Sequence, residues 1–166
     1  MEVNNAVEFK LGHVPNKYKN LSPPYPAYRT TFDGQEFLCF FTKQYGFSNH
    51  YLSSFKIDGV RYCCSEQYYM YMKAMHFGFV GIADEIMSTK DTATIKNLGN
   101  ANTMRLRQAN GAELKSRRFD HDEWRKVKRN IMYEALYAKF EQNIPLFNML
   151  IKTEKATLIE AKNSYI

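Results

Sequence analysis

The stretch SEQYYMYMKA, which begins at Ser65, has the apolar and polar spacing of an α-helix. Ser65 is placed to cap this helix, and Glu66 falls in its first turn, where the helix dipole favours a negative charge. Counted from Glu66, Tyr69 is at i+3, Met70 at i+4 and Lys73 at i+7, so the four share one face. A carboxylate and an ammonium on such an aromatic and apolar face suit an acid–base pair in a dry cleft. In the alternative interpretation, Glu66 only interacts with the helix dipole and Lys73 is an ordinary solvated lysine.

A longer helix is predicted from Asp120 to about Gln142. Asp120 is followed by Glu123 in nearly the arrangement of a capping box. An apolar stripe at helical spacing comes next, formed by Trp124, Val127, Ile131, Ala135 and Ala138 and widened by Leu136 and Phe140. Shorter helices are predicted at 80–87, at 91–98 with Gly99 as C-cap, and at 145–152, whereas 100–119 is interpreted as a long loop with short helical pieces.

Three stretches have the composition of β-strands or hairpins. Residues 36–42 are rich in β-formers and predict a buried strand, and 157–161 predict a last strand. Asp58-Gly59 between the short runs 55–57 and 60–62 is a strong signal for a two-residue hairpin, after a loop at 45–51. The sequence therefore predicts an α+β fold, a compact and mostly helical single domain with a small β-sheet or hairpin.

The chain divides near residue 35. Residues 1–35 contain Pro15, Pro23, Pro24 and Pro26, which break regular structure, so an irregular arm is expected there. The folded domain is expected at 36–166. A hydrophobic fraction of 45% and an aromatic fraction of 15% favour a packed core over disorder in the bulk of the chain.

The net charge of +6 is concentrated in one window. Between Arg105 and Arg129 there are nine Lys or Arg and four acids, and nine minus four leaves +5. A clustered positive field attracts phosphate, in a nucleotide or in nucleic acid. The alternative is a solvated basic helix face.

The three cysteines, Cys39, Cys63 and Cys64, have no zinc-ligand spacing and suggest reduced thiols. No signal-peptide core and no membrane-spanning run is present, so a soluble cytoplasmic or nuclear protein without a membrane partner is expected. Phosphate-binding loops, metal-binding histidine pairs and nucleophile elbows are also missing, so no cofactor and no metal are expected. The remaining carboxylates, lysines, amides and aromatics suit chemistry at a sugar carbon, or a non-catalytic nucleotide pocket.

An ordered set of residues over about 36–166 resembles the NADAR family, also called YbiA-like. The set comprises Gly46-Phe47-Ser48-Asn49, Glu66-Gln67-Tyr68-Tyr69, Lys73-Ala74, Leu98-Gly99, Phe119 with Trp124, Met132, Lys139-Phe140-Glu141-Gln142-Asn143, Leu150, Thr153 and Leu158-Ile159-Glu160-Ala161. The resemblance implies a YbiA-like α+β domain that acts as an N-glycosidase. Members of the family cleave the N-glycosidic bonds of early riboflavin-pathway phosphoribosylamino-pyrimidines or -pyrimidinediones, or remove ADP-ribose from guanine in nucleic acid.

The expected partner is therefore a phosphorylated ribosyl or ADP-ribosyl substrate, with ADP-ribosylated DNA or RNA among the candidates. Glu66 would activate water or stabilise the cationic sugar. Lys73 would stabilise the leaving group, or attack an opened sugar aldehyde to form a Schiff base. The substrate-binding residues expected beside them are Ser48, Asn49, Tyr69, Trp124, Lys139, Asn143 and Glu160, with Gln142 as a further polar contact and the basic window as a phosphate holder.

The chain departs from the family pattern at two places. The family continues after its Glu-Ala pair through an aspartate to a Trp-Gly motif, whereas residues 160–166 here are EAKNSYI, so the domain is expected to end before that motif. Thr153 is followed by Glu154 where glycine is common. Two other functions therefore stay open: a non-catalytic nucleotide- or ADP-ribose-binding module, and a basic nucleic-acid-binding protein.

Overall fold

The structure, a computed structural model, describes residues 28–40, 43–112 and 116–160. Five strands and six helices lie in these ranges. The strands are β1 (Tyr28–Phe32), β2 (Gln35–Phe40), β3 (Phe55–Ile57), β4 (Val60–Tyr62) and β5 (Thr157–Glu160). The helices are α1 (Ser65–His76), α2 (Val80–Ser88), α3 (Thr92–Leu98), α4 (Ala101–Ala109), α5 (His121–Glu141) and α6 (Ile144–Ile151). The predicted α+β fold, mostly helical with a small sheet and a hairpin, is confirmed.

The chain forms two compact units, and the first contains residues up to Ser48 together with those from Thr153 onward. Its sheet has the order β1-β2-β5, in which β1 is antiparallel to β2 and β5 is parallel to it. Asp33 and Gly34 connect β1 to β2 with φ values of 49° and 74°, which a two-residue turn of type I′ requires. The predicted last strand at 157–161 is present as β5, and Ala161 lies outside the described residues.

The arm expected at 1–35 needs correction over its last eight residues. Residues 28–35 form β1, the turn and the first residue of β2, because Asp-Gly supplies the two left-handed positions of the turn. The strand expected at 36–42 begins one residue earlier, at Gln35, and its last two expected residues, Phe41 and Thr42, lie outside the described residues. Residues 1–27 also lie outside them.

The second unit contains residues from Asn49 to Lys152. It begins with the β3–β4 hairpin, whose turn is Asp58-Gly59 at φ values of 48° and 79°, as predicted. The hairpin leads through two cysteines into α1, where the expected cap is wrong. Cys64 is the N-cap in an extended conformation, and Ser65 is the first helical residue. The N–H of Glu66 instead donates to the carbonyl of Asn49, at 3.0 Å, so main chain from the preceding loop satisfies this end of the helix.

The helices after α1 follow the predicted order with one addition. Asp91 caps α3 by accepting the N–H of Thr94, and Asp120 caps α5 by accepting the N–H groups of Asp122 and Glu123. The stretch interpreted as a long loop with short helical pieces contains the nine-residue helix α4, which Asn100 caps through the N–H of Asn102. The absence of a clean apolar period there reflects an exposed helix with a single fully buried side chain, Met104.

The predicted apolar stripe of α5 divides between two clusters of the core. Trp124 joins the larger cluster with Ala74 and Phe119 and with buried side chains of the shorter helices and their connections, namely Phe77, Phe79, Ile82, Ala83, Ile86, Ile95 and Met104. Ala135 and Ala138 join the smaller cluster with Phe55, Tyr62 and Tyr68. Helix α1 contributes to both clusters and is fixed along its length. No helix in the described ranges is long and apolar enough to cross a membrane.

Candidate active site

The centre of the candidate site is the face of α1 that carries Glu66, Tyr69 and Lys73. Glu66 is 7% exposed and Lys73 is 8% exposed, so both charged groups lie largely out of water. Charged side chains are rarely this buried unless they have partners or a function. The helical spacing expected from the sequence is present, and the negative charge of Glu66 acts on Lys73.

Lys73 is held at its tip by main chain and an aromatic ring. Its Nζ donates to the carbonyl oxygen of Gly99 at 2.8 Å and lies 4.7 Å from the centre of the Phe119 ring. Burial lowers the pKa of Lys73 to about 8, and the charge of Glu66 opposes part of this shift. An amine with this pKa is neutral in about a tenth of the molecules at pH 7, far more than an ordinary lysine, and only the neutral form is a nucleophile.

Gly99 is the residue that lets this hydrogen bond form. Its φ of −77° is open to any residue, so the glycine is not needed for a left-handed cap. A Cβ at this position would lie 2.3 Å from Sδ and 2.8 Å from Cβ of Met70. The absence of a side chain therefore allows the end of α3 to approach α1, with the Gly99 carbonyl beside Lys73.

Tyr69 and Trp124 form an aromatic pair beside the charged groups. The indole Nε1–H of Trp124 donates to the Tyr69 hydroxyl at 3.1 Å, and the two rings meet edge to face with centres 5.2 Å apart. Burial raises the pKa of Tyr69. Trp124 is largely buried in the core, and substrate binding by Tyr69 and Trp124 stays a prediction.

Asn49 joins this group through its main chain, because its carbonyl accepts the N–H of Glu66. Ser48 and Glu160 belong to the first unit. The Ser48 side chain is buried, and its N–H donates to the Tyr45 carbonyl at 2.9 Å. Glu160 is exposed at the end of β5, where it pairs with Phe40 in the parallel ladder. Substrate binding by Ser48, Asn49 and Glu160 stays a prediction.

The polar residues at the end of α5 make structural contacts. Lys139 is fully buried, with its Nζ 5.4 Å from the centre of the Phe140 ring. Asn143 donates through Nδ2 to the Lys139 carbonyl at 2.7 Å and to the Ser54 carbonyl at 3.3 Å. Gln142 accepts the N–H of Lys56 and donates to its carbonyl, both at 2.8 Å. These contacts attach α5 to the β3–β4 hairpin, and none of them tests the predicted roles of Lys139 and Asn143 in substrate binding.

Three arginines of the basic window are paired with acids. Arg107 makes two hydrogen bonds of 2.7 Å to Glu85, Arg117 pairs with Glu123, and Arg125 pairs with Asp122. The exposed basic residues of the window without a carboxylate partner among the described contacts are Arg105, Arg118, Lys126 and Arg129, and Lys115 lies outside the described residues. The surface available to a phosphate is therefore smaller than the charge count predicts.

Comparison with known protein families matches residues 32–164 to the NADAR domain. The chain belongs to the NADAR family. The resemblance noted in the sequence is thereby confirmed, and the match begins four residues before the domain boundary expected at 36. In the part of the NADAR domain that the structure describes, no group of three or more His, Cys, Asp and Glu side chains is arranged to hold a metal.

Two individual proteins support the assignment. The NADAR domain aligns with the NMR structure of the E. coli protein YbiA at a TM-score of 0.58 and 25% identity, over 76% of this chain and 67% of YbiA. Protein irg-1 of Caenorhabditis elegans is 30% identical over 139 residues, which cover 75% of this chain and 60% of irg-1. The chain therefore spans about 60% of the length of that curated relative.

Three residues at the site are not among the site residues that the sequence predicts. Gly99 and Phe119 hold the tip of Lys73, and Gln67 holds the start of α1. The Gln67 side chain accepts the N–H of Cys63 at 2.7 Å and donates to the Ile86 and Thr89 carbonyls. Each contact joins residues far apart in sequence or uses main-chain atoms, which no side-chain pattern reveals. The only signal was their membership of the ordered family set.

Proposed function

We propose that this NADAR domain is an N-glycosidase that cleaves the bond between a nitrogenous base and a phosphorylated ribose or ADP-ribose. The observation that carries the proposal is the buried pair of Glu66 and Lys73, in which Lys73 has a pKa lowered to about 8. Cleavage at a sugar carbon needs a group that meets the developing cation and a group that handles the proton of the leaving nitrogen. The family assignment supports the same activity.

The lowered pKa favours a covalent route through Lys73. The neutral amine attacks C1′, the glycosidic C1′–N bond breaks, and Glu66 passes the proton that the amine loses to the departing nitrogen. The C1′–O bond of the sugar ring then breaks, the ring oxygen takes the remaining proton of the Lys73 nitrogen, and an imine is left between Lys73 and C1′. Water hydrolyses this imine, and the free amine and the free sugar are restored.

A direct route uses the same pair without a covalent bond. Glu66 removes a proton from water as the water attacks C1′, and the Lys73 ammonium donates a proton to the leaving nitrogen. The two routes predict different behaviour toward borohydride, which reduces an imine to a stable amine and has no target in the direct route.

The substrate class follows from charge. A phosphate or diphosphate group would be attracted by the exposed basic residues Arg105, Arg118, Lys126 and Arg129. ADP-ribosylated guanine in DNA or RNA and the early phosphoribosylamino intermediates of riboflavin synthesis both carry such a group. We propose that the domain acts on one of these two substrates.

The first experiment follows base and sugar release from ADP-ribosylated guanine DNA and from a phosphoribosylamino-pyrimidine, by chromatography. The variants are Glu66→Gln and Lys73→Met. Their matched controls are Glu141→Gln and Lys96→Met, which change the same groups at exposed positions on α5 and α3. We expect release by the parent protein and by both controls, and a loss of at least about a hundredfold in each site variant.

Borohydride added during turnover separates the two routes. A reduced sugar adduct on Lys73 in the parent protein would support the covalent route, and the direct route predicts release without an adduct. Release that survives both Glu66→Gln and Lys73→Met would overturn the assignment of this pair. Tight binding of ADP-ribose without release from either substrate would reject the glycosidase proposal in favour of a non-catalytic ADP-ribose-binding module.

A further inference from the structure

Cys63 and Cys64 are adjacent thiols whose sulfur atoms lie 3.8 Å apart. They form the junction between β4 and α1, and Cys64 is the N-cap of the helix. Both are free cysteines, Cys63 partly exposed and Cys64 fully buried. Cys63 can therefore be reached by a small solute, and the buried Cys64 sulfur lies close enough to react with it next.

The surroundings of the pair lower the pKa of the partly exposed thiol, Cys63. A hydrogen bond with Cys64 lowers the pKa of Cys63 and outweighs the effect of its partial burial, and the positive charge of Lys90 acts in the same direction. The same hydrogen bond and burial raise the pKa of Cys64. Cys63 is thus the better thiolate, and thiolates rather than thiols are the nucleophiles.

We propose that Cys63 and Cys64 form a peroxide-sensitive modification site, in which Cys63 is oxidised first and Cys64 resolves it to a disulfide between adjacent residues. Redox-sensitive cysteines have lowered pKa values, are accessible and often lie beside a second cysteine. Cys63 is partly exposed, lies beside Cys64 and has a lowered pKa. The carboxylate and amine proposed for catalysis, Glu66 and Lys73, take no part in the step.

The chemistry balances with one peroxide molecule. The Cys63 thiolate attacks one peroxide oxygen, the O–O bond breaks, and the second oxygen leaves as water after it takes a proton, which makes Cys63 a sulfenic acid. The Cys64 thiol then loses its proton as its sulfur attacks the Cys63 sulfur, the S–O bond breaks, and the departing hydroxyl takes that proton and leaves as a second water. Two thiols lose two electrons in total, and the peroxide gains them.

Covalent geometry indicates that this disulfide would be easily reversed. Consecutive Cα atoms lie about 3.8 Å apart across a trans peptide. Most disulfides span about 4.4–6.8 Å between Cα atoms. Closing the bond from the observed sulfur separation to about 2.05 Å must therefore twist the peptide between the two residues. Strained disulfides are the ones that cellular thiols reduce readily.

Oxidation would change the hydrogen bonds at the start of α1. The Cys63 N–H donates to Gln67, and the Cys64 carbonyl accepts the N–H groups of Gln67 and Tyr68. Twisting the peptide between the cysteines displaces these groups, and Glu66 follows Cys64 by two residues. We expect the oxidised protein to lose glycosidase activity and to regain it with dithiothreitol, and this part rests on the proposed function.

The test is peptide mass spectrometry after a short exposure of the folded protein to hydrogen peroxide. Trypsin releases residues 62–73 as one peptide that contains both cysteines, separate from Cys39. We expect this peptide to become about 2 Da lighter, to resist alkylation, and to recover both thiols with dithiothreitol. Cys64→Ser should instead leave Cys63 as a sulfenic acid that dimedone traps, and Cys63→Ser should consume peroxide at least about tenfold more slowly.

Three results would overturn the proposal. They are full alkylation of both thiols after peroxide, equal oxidation rates in Cys63→Ser and the parent protein, and a cross-link of this peptide to Cys39 in place of the internal bond. None of these readouts uses glycosidase activity. A protein that forms the disulfide but releases no base from any substrate would leave the modification site standing and remove the proposed function.

Discussion

The Lys73 ammonium donates to the Gly99 carbonyl across 2.8 Å, although the two residues are 26 positions apart in the chain. The contact depends on a backbone that approaches α1 closely enough to touch Met70 of the same helix. One glycine thus connects the packing of α1 to the environment of its buried amine.

Gly99→Ala should disturb packing and site together. The new Cβ would lie 2.3 Å from Sδ of Met70, so the methionine side chain or the end of α3 must move. We expect a loss of about 1–3 kcal/mol in the free energy of unfolding, measured with urea. Adding Met70→Ala should recover part of that loss, because it removes the clash. Two losses that simply add in the double variant would contradict this explanation.

The rate of base release should depend on pH through Lys73. If the neutral amine attacks C1′, kcat/KM should rise tenfold per pH unit below about 8 and level off above it, since the Lys73 pKa is lowered to about 8. A steady-state profile between pH 6 and pH 9.5 measures this. A profile that is flat, or that falls on the alkaline side, would remove the neutral amine and favour the ammonium as proton donor.

The free energy of unfolding should also depend on pH through Lys73, and the direction of the change follows from its folded and unfolded pKa values. The folded pKa of Lys73, about 8, lies below the unfolded value, so between the two values the unfolded chain holds more protons and stability rises with pH. Between pH 7 and pH 9.5 the parent protein should therefore gain about 2 kcal/mol relative to Lys73→Met. Urea unfolding of both proteins at several pH values tests this. Lys96→Met serves as the control and should show no such difference.

The Trp124–Tyr69 hydrogen bond should appear as a coupling energy. Trp124→Phe and Tyr69→Phe each remove one partner of the 3.1 Å contact. A double-mutant cycle should give an interaction of about 0.5–1.5 kcal/mol, the usual net value of a hydrogen bond between neutral groups. A coupling near zero would mean that the two rings contribute through packing alone.

Gln142→Ala should weaken the fold without weakening substrate binding. The amide of Gln142 makes two hydrogen bonds of 2.8 Å to the backbone of Lys56, on the edge of the β3–β4 hairpin. Because the side chain is exposed and water can replace it, the expected loss is about 1 kcal/mol. Thermal unfolding gives the loss, and KM for the preferred substrate should stay unchanged. A KM that rises severalfold would instead indicate that Gln142 contacts the substrate.

Local signals predicted most of the helices and one of the two hairpins. Asp58-Gly59 lies between two short β-like runs and predicts a turn. The identical pair Asp33-Gly34 follows a proline-rich stretch, which predicts an irregular arm instead. Both pairs have left-handed φ values, 49° and 74° at Asp33-Gly34 and 48° and 79° at Asp58-Gly59. Helix α4 is predicted only as short helical pieces within a loop, because most of its surface faces solvent and no apolar period defines its bounds.

The sequence predicts only the part of the candidate site that lies on a single helix. Spacing placed Glu66, Tyr69 and Lys73 on one face, and the structure agrees. The cap at Ser65 was wrong because the carbonyl of Asn49 takes the N–H of Glu66. Side-chain patterning does not reveal contacts made by main-chain atoms of another segment. For the same reason it does not predict that Lys73 donates to the Gly99 carbonyl.

The central strand of the three-stranded sheet has a consequence for synthesis. Phe37 in β2 lies opposite Thr157 in β5, and 157 − 37 is 120 residues. At about 5–20 residues per second, β2 leaves the ribosome many seconds before its parallel partner exists. During that interval β1 can cover one edge and the other stays open, which makes the half-made chain vulnerable to association with its neighbours on a polysome.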